Sequence, residues 1–282
     1  MGGETMMQVN RVDLCVETFG DPGDPAILLI GLSMLSWDDA FCARLASGPR
    51  FVVRYDLRDT GRSVSDEPGA PRYTLRDLVA DAVGLLDALG QAGAHVVGFS
   101  AGGWIAQLLA LDHPDRVTSL TLISTRPTAP GPADPDLPEH APQLMASFAA
   151  AGQPDWTDRA AVIDHLVAGA RRFAGARPFD TRAARALAGR TVDRTRNMAS
   201  SMNNLAFMDS GDRWRERLGH LAVPTLVIHG TQDPFFPFGN AEALAEEIPG
   251  ARLVPLPQAG HELAPDDWDT VVPAILGHTA GG

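Results

Sequence analysis

The chain has 282 residues, of which 45% are hydrophobic and 21% are charged. This length and composition are typical of one large globular domain with its own hydrophobic core. The formal net charge is −12, and all 23 basic residues are arginines. Because an acidic protein repels phosphate backbones, nucleic acid is not expected as a partner. The absence of lysine excludes Schiff-base chemistry and pyridoxal-type cofactors, which need a lysine amine.

The two cysteines and the N-terminal segment indicate the cellular setting. Cys15 and Cys42 stand among apolar residues and are expected to be buried, reduced thiols, and no Cys/His cluster indicates a metal site. Met1–Asn10 lacks the apolar segment of a signal peptide, and no run reaches the ~18 apolar residues of a membrane span. We therefore expect a cytoplasmic protein without a membrane-spanning segment.

Short apolar runs alternate with helical patterns along most of the chain. Strands are predicted at Val9–Val16, Ala26–Ile30, Phe51–Tyr55, His95–Phe99, Val117–Ile123, Thr225–His229 and Arg252–Pro255. Several of these runs are continuously apolar, which is typical of strands covered on both faces of a parallel sheet. Helices are predicted between them, for example at Leu75–Leu89, Ala101–Leu111, Ala241–Glu247 and Asp266–Leu276. The alternation predicts an α/β fold with a mostly parallel central sheet flanked by helices.

The alternation stops between residues 126 and 218. A stretch rich in Pro, Gly and Asp comes first, and only helical patterns follow, such as Val162–Phe173. We interpret residues 126–218 as a helical cap over the carboxyl edge of the sheet, where ligands bind in open α/β folds. Residues 1–125 and 219–282 would then form the core. The segment is rich in arginine, which indicates either solvated helix faces that dock on an acidic body or a contact of Arg171 or Arg172 with an anionic substrate group.

The strongest local signal is the pentapeptide Gly98-Phe99-Ser100-Ala101-Gly102, which follows a predicted strand and precedes a predicted helix. This is the context of a nucleophile elbow, a tight turn that holds a serine in a strained conformation. Gly98 and Gly102 are expected because larger neighbours would clash with the turn. The serine hydroxyl then lies at a helix N-terminus, where developing negative charge is stabilised. The motif therefore predicts Ser100 as a nucleophile.

A serine hydroxyl needs a base, and in this arrangement the acid and then the histidine follow the serine along the chain. His261 lies in a Gly-containing loop after the last predicted strand and is the candidate base. The other seven histidines are less suitable, and His229, for example, lies inside a predicted strand. Asp233, just after that strand, is the candidate acid that orients the base. Ser124 occupies an alternative acid position but carries no carboxylate.

The remaining parts of such a site are two oxyanion donors and an apolar pocket. The backbone N–H of Ala101, directly after the nucleophile, is one expected donor, and that of Leu32, after the strand Ala26–Ile30, is the other. Large apolar side chains flank these motifs and are expected to line the pocket, with core packing as the alternative role for each. The substrate-binding candidates are Met34, Trp37, Trp104 and Phe235.

The polar stretch Arg54–Ser63 contains a further carboxylate, Asp56. Asp56 precedes Ser100 in the chain, which is contrary to the expected order of the triad. We interpret this stretch as a structural loop with Arg–Asp pairing and with Gly61 in a turn.

Several segments resemble the α/β-hydrolase superfamily, and most closely its aclacinomycin methylesterase branch. They are RYDLRDTGRS, AHVVGFSAGG, LDHPDRVTSLTLI, VPTLVI and QAGH. The resemblance spans about residues 10–125 and 220–277 and is loose in the insertion. It implies a triad of Ser100, Asp233 and His261, with oxyanion donors at Ala101 and near Leu32. Enzymes of this branch remove methyl esters from polyketides in antibiotic biosynthesis.

Together these observations predict hydrolysis of a small-molecule carboxylic ester through an acyl-enzyme, without a metal or another cofactor. A polyketide methyl ester and a lactone are the candidate substrates. Two alternatives stay open. One is a cofactor-free haloperoxidase or perhydrolase, which uses the same triad with peroxide as acceptor. The other is a non-catalytic ligand-binding protein that kept the fold.

Overall fold

The computed structural model describes residues 3–129 and 131–280, so the ends of the predicted core and Pro130 of the predicted insertion lie outside the described residues. The strands are β1 (Thr5–Val9), β2 (Val12–Phe19), β3 (Ala26–Ile30), β4 (Phe51–Tyr55), β5 (Ala94–Phe99), β6 (Val117–Ile123), β7 (Thr225–Gly230) and β8 (Arg252–Leu256). They form one sheet in the order β1-β2-β4-β3-β5-β6-β7-β8. The pairs from β4 to β8 are parallel, whereas β1 and β2 are antiparallel to their neighbours.

Helices cover both faces of this sheet. They are α1 (Asp39–Ala46), α2 (Leu75–Ala88), α3 (Ala101–Asp112), α4 (Pro142–Ala150), α5 (Arg159–Phe173), α6 (Thr181–Arg194), α7 (Met198–Phe207), α8 (Gly239–Glu247) and α9 (Trp268–Thr279). None of the helices within residues 3–129 and 131–280 is long and apolar enough to cross a membrane.

The continuous apolar strands explain how the two faces are filled. In β3, Leu28 and Ile30 join the core formed with α2, α3 and α8, while Ile27 and Leu29 join the core formed with α1 and α9. Because successive side chains of a strand point to opposite faces, an apolar run without alternation buries both of them. The predicted α/β fold with a mostly parallel sheet is thereby confirmed.

The predicted single strand Val9–Val16 is wrong, because the structure has a hairpin there. Val9 pairs with Val12 across a two-residue turn. The turn residues Asn10 and Arg11 have φ values of +48° and +66°. Positive φ at both central residues is the geometry of the tight turns that match the twist of paired strands. The turn residues are polar, but neither is the glycine that most often marks so tight a turn, and so the sequence does not mark it clearly.

Between β6 and β7, the described residues form the four α-helices α4 to α7, in the part of the chain where only helical patterns were found. α5 and α6 pack against each other through Ile163, Val167 and Ala188. The division of the chain into a core and a cap of residues 126–218 stays a prediction.

Both cysteines are buried free thiols, as expected. Burial raises the pKa of Cys15 and of Cys42 to about 12. Because the thiolate is the reactive form of cysteine, neither side chain is suited to nucleophilic chemistry.

Candidate active site

Three side chains that are far apart in the sequence meet at the carboxyl edge of the sheet. Ser100 follows β5, Asp233 lies three residues after the end of β7, and His261 lies in the loop after β8. Because these strands are parallel, their carboxyl ends lie at the same edge.

The backbone around Ser100 forms a strained turn. Ser100 has φ +55° and ψ −121° and lies directly before the first residue of α3. A Cβ on Gly98 would lie 2.5 Å from the Gly102 carbonyl oxygen, and a Cβ on Gly102 would lie 2.0 Å from the Ile30 carbonyl oxygen. Real side chains do not tolerate such distances, so the expected need for both glycines is confirmed. The close approach also places the start of α3 against the end of β3.

The Ser100 hydroxyl and the Asp233 carboxylate contact opposite nitrogens of the His261 ring. His261 Nε2 lies 2.8 Å from Ser100 Oγ, and His261 Nδ1 lies 2.8 Å from Asp233 Oδ2. An ionised carboxylate only accepts hydrogen bonds, so Nδ1–H donates to Asp233 and Nε2 accepts from the serine hydroxyl. Ser100 and His261 are each 9% exposed. The site is therefore largely shielded from water, and its hydrogen bonds are strengthened by the low local dielectric.

Asp233 is held in its charged form. Burial alone would raise its pKa, but the neighbouring His261 and the hydrogen bonds from His229 and His261 hold the pKa of this carboxyl well below its usual range. Its second oxygen, Oδ1, accepts the backbone N–H groups of Phe235 and Phe236, both at 2.8 Å. The carboxylate is thus fixed in orientation and stays ionised above acidic pH.

The segment after β3 lies beside Ser100, and its Leu32 N–H, the predicted second oxyanion donor, is free. Met34 N–H donates to Asp56 Oδ1 at 2.9 Å, while the Leu32 carbonyl oxygen accepts from Thr60 Oγ1 at 2.7 Å. Among the described residues, neither the Leu32 N–H nor the Ala101 N–H donates to a protein acceptor. Both amides therefore remain available to an oxyanion.

Asp56 is a structural residue, as interpreted from the sequence. Its side chain has no exposed surface, and Oδ1 forms an ion pair of 2.8 Å with Arg194 Nη1. Gly61 has a φ of +50°, and a Cβ there would lie 2.1 Å from Asp56 Oδ2. The pairing was expected from the Arg–Asp pattern of this loop, but the partner comes from α6, 138 residues later. Only the folded chain identifies that partner.

The predicted pocket residues fall into two groups. Phe235 is half-buried, and its ring lies 5.1 Å from the His261 ring. Trp104 is 5% exposed and packs edge-on against Phe236. By contrast, Met34 and Trp37 have no exposed surface and pack within core clusters. The core alternative therefore holds for Met34 and Trp37, because neither presents surface to a ligand in this conformation.

The comparisons with known proteins identify the family to which the fold belongs. Residues 31–267 match a family model described as the alpha/beta hydrolase fold. The chain belongs to the α/β-hydrolase family. This hydrolase is 33% identical to the rhodomycin D methylesterase of Streptomyces peucetius, with 97% of each chain covered. It is also 33% identical to the pimeloyl-[acyl-carrier protein] methyl ester esterase of Chromobacterium violaceum, over 89% of this chain and 91% of that one.

A solved structure shows the same fold at lower sequence identity. The 2-hydroxy-6-oxo-6-phenylhexa-2,4-dienoate hydrolase of a Rhodococcus species superposes with a TM-score of 0.76 at 23% identity, and 99% of each chain is covered. The resemblance to the α/β-hydrolases, stated above from short motifs, is thus confirmed over nearly the whole chain.

The insertion of this hydrolase contacts the His261 loop directly. The His261 N–H donates to the Phe173 carbonyl oxygen at 2.8 Å, and the Ala176 N–H donates to the Gln258 carbonyl oxygen at 3.0 Å. A Cβ on Gly175 would lie 2.1 Å from that same Gln258 oxygen. The backbone after α5 therefore packs tightly on the loop that carries His261. No motif in the sequence indicates this contact, because it is made by backbone groups.

The aromatic surroundings of His261 combine the core and the insertion. The rings of Phe99, Phe173 and Phe236 lie 5.5, 5.5 and 5.3 Å from the His261 ring. Arg171 lies 4.5 Å over the ring of Phe179, also in the insertion. The His261 ring is therefore surrounded by apolar rings, as is usual in small-molecule sites.

Proposed function

We propose that this chain is a carboxylic ester hydrolase in which Ser100, His261 and Asp233 act as a catalytic triad. The observation that supports this most is the pair of 2.8 Å contacts that links hydroxyl, imidazole and carboxylate in series. In this geometry the imidazole can take the serine proton, while the ionised Asp233 stabilises the imidazolium that forms.

The reaction has two halves. Ser100 Oγ attacks the ester carbonyl as its proton moves to His261 Nε2, and the resulting tetrahedral intermediate carries a negative oxygen. The intermediate collapses to an acyl-enzyme when His261 gives the proton to the leaving alcohol. A water molecule, deprotonated by His261, then releases the acid and restores the serine.

The Leu32 and Ala101 amides are the proposed oxyanion donors. Ala101 is the first residue of α3, so its N–H points from a helix N-terminus, where negative charge is favoured. The Thr60 contact holds the Leu32–Ser33 peptide through its carbonyl oxygen, and the Asp56 contact holds the next peptide through the Met34 N–H, so the backbone directly after the Leu32 amide is fixed. Loss of one such donor typically costs about 2.7–4 kcal/mol of transition-state stabilisation.

For the substrate, we propose a methyl ester with a bulky, polyketide-like acyl group, or a lactone. The aromatic rings around His261, including Phe235, suit a large apolar acyl group. The methyl ester esterases named above support a small alcohol as the leaving group. We further propose that residues 126–218 act as a cap, since the backbone at Phe173 closes over the His261 loop.

The test is a hydrolysis screen across three classes of ester. The purified chain is offered methyl esters of aromatic polyketides, p-nitrophenyl esters of rising acyl length, and lactones, and acid release is followed. We expect hydrolysis of the bulky methyl esters, with kcat lower by at least about a thousandfold in Ser100→Ala. Activity confined to short acyl esters would contradict the substrate proposal. Equal activity of wild type and Ser100→Ala would contradict the triad.

A further inference from the structure

A second buried histidine contacts the carboxylate of the triad. His229 is the next-to-last residue of β7, and its side chain has no exposed surface. Its Nε2 lies 2.7 Å from the Phe236 carbonyl oxygen and 3.3 Å from Asp233 Oδ2. Both oxygens are acceptors, so Nε2 carries the hydrogen; it donates to the Phe236 carbonyl oxygen and makes a longer electrostatic contact with Asp233 Oδ2.

This contact completes the set of donors around Asp233. Oδ1 receives two backbone N–H groups, from Phe235 and Phe236. Oδ2 accepts from the imidazole of His261 at 2.8 Å, and the Nε2–H of His229 lies 3.3 Å from the same oxygen. The two imidazoles thus share one carboxylate oxygen.

We infer that His229 is a positioning residue, which sets the orientation of Asp233 and the strength of its hydrogen bond to His261. This inference rests on the proposed function, since it assigns a role through the triad. His229 touches no reacting atom and acts only through Asp233.

The other ring nitrogen of His229 argues against simple packing. Nδ1 is buried and has no hydrogen-bond partner among the described residues. An unpaired buried nitrogen destabilises the fold, whereas an apolar side chain of similar size would avoid that loss. A histidine at this position is therefore explained by its Nε2–H, which an apolar residue lacks.

Few other charged groups lie near His229 and Asp233, and they stay the same in the variants below. Against His229, β8 presents Pro255, and the Phe238 ring before α8 lies 6.1 Å away. His140 and the Arg126 guanidinium lie further away, beside the Phe236 ring, at 5.7 and 5.3 Å from it. Beside His261, burial raises the pKa of the Glu262 carboxyl above its usual value.

Removal of the His229 Nε2–H should change the pH dependence of the reaction in one direction. The Nε2–H of His229 withdraws electron density from the oxygen that accepts from His261. Without this hydrogen, Oδ2 binds the protonated imidazole of His261 more strongly, so His261 becomes protonated, and stops acting as a base, at a higher pH. The acid limb of the pH–rate profile, where activity falls as His261 is protonated, should therefore move to higher pH when the His229 Nε2–H is removed.

The experiment measures the rate at which a fluorophosphonate probe labels Ser100, as a function of pH, in wild type, His229→Leu and His229→Gln. The Gln amide can place its nitrogen where Nε2 lies, so it is the matched control. We expect the acid limb in His229→Leu to move up by at least about half a pH unit, and in His229→Gln to stay at the wild-type position. If His229→Leu does not fold, His229→Asn takes its place and is compared with His229→Gln in the same assay. The shorter Asn amide does not reach Asp233.

The outcomes separate this inference from the function on which it rests. An acid limb that stays in place in the Leu or Asn variant, or that moves equally in Gln, overturns the role of His229. A wild type that is not labelled at Ser100 at any pH overturns the proposed function itself.

Discussion

Replacing Arg194 with methionine should destabilise the fold by leaving the Asp56 carboxylate buried without its cation. Asp56 has no exposed surface, and the Arg194 side chain is only 7% exposed. Removing one partner of such a pair costs about 3–5 kcal/mol, because the remaining charge keeps its desolvation penalty. Asp56 retains the N–H groups of Met34 and Arg62, so we expect the lower end of that range. A loss of about 3 kcal/mol corresponds to a Tm lower by about 6–12 °C.

The matched control is an exposed ion pair that also involves α6. Arg159 of α5 and Asp193 of α6 lie 2.6 Å apart, but their side chains are 58% and 56% exposed. Thermal unfolding of Arg194→Met and Arg159→Met is compared with wild type. We expect a large decrease of Tm in the first and almost none in the second, since exposed ion pairs add little stability.

A double-mutant cycle tests the cause of that loss. Asp56→Asn combined with Arg194→Met removes both charges and should be less destabilised than the two single effects added together. Additive effects, or equal decreases of Tm in Arg194→Met and Arg159→Met, would refute the assignment of this pair as a buried link between the insertion and the loop after β4.

Two further variants probe the histidine loop and the pH dependence of stability. Gly175→Ala should lower kcat at least about tenfold, because the new Cβ would lie 2.1 Å from the Gln258 carbonyl oxygen and displace the backbone that holds the His261 loop. The control is Gly152→Ala in the same insertion, where a Cβ would meet nothing within 4 Å and kcat should stay unchanged. Equal kcat values for the two variants in steady-state assays would contradict this. Burial lowers the pKa of His95 to about 4 from 6.5, so the unfolded chain binds the proton first and stability present above pH 6.5 is lost as the pH falls towards 4. Urea unfolding of His95→Asn should therefore show a flatter dependence on pH over that interval than wild type, and parallel curves would show that His95 does not carry this effect.

The sequence was sufficient for the parts of the fold that depend on local pattern. The continuous apolar strands required a sheet covered on both faces, and the Gly-Ser-Gly turn required a strained serine. These features are encoded within a few residues. The hairpin at Asn10 and Arg11 was missed because neither residue is a glycine, the residue that most often marks so tight a turn.

Contacts between distant segments were not accessible from the sequence. Arg194 could have paired with any acidic group, and only the packing of α6 selects Asp56. His229 was set aside because it lies within a strand, although the next-to-last residue of a parallel strand already faces the edge where sites form. Met34 and Trp37 were assigned to a pocket by proximity in sequence, whereas the fold turns both into the core.

The most direct test of the proposed triad is to trap the acyl-enzyme. The chain is mixed with a p-nitrophenyl ester, quenched in acid within the first turnover, digested, and examined by mass spectrometry. We expect one acyl group on the peptide that carries Ser100, and none on that peptide in Ser100→Ala. An acyl group on a different residue, or continued hydrolysis by Ser100→Ala at the wild-type rate, would contradict the account.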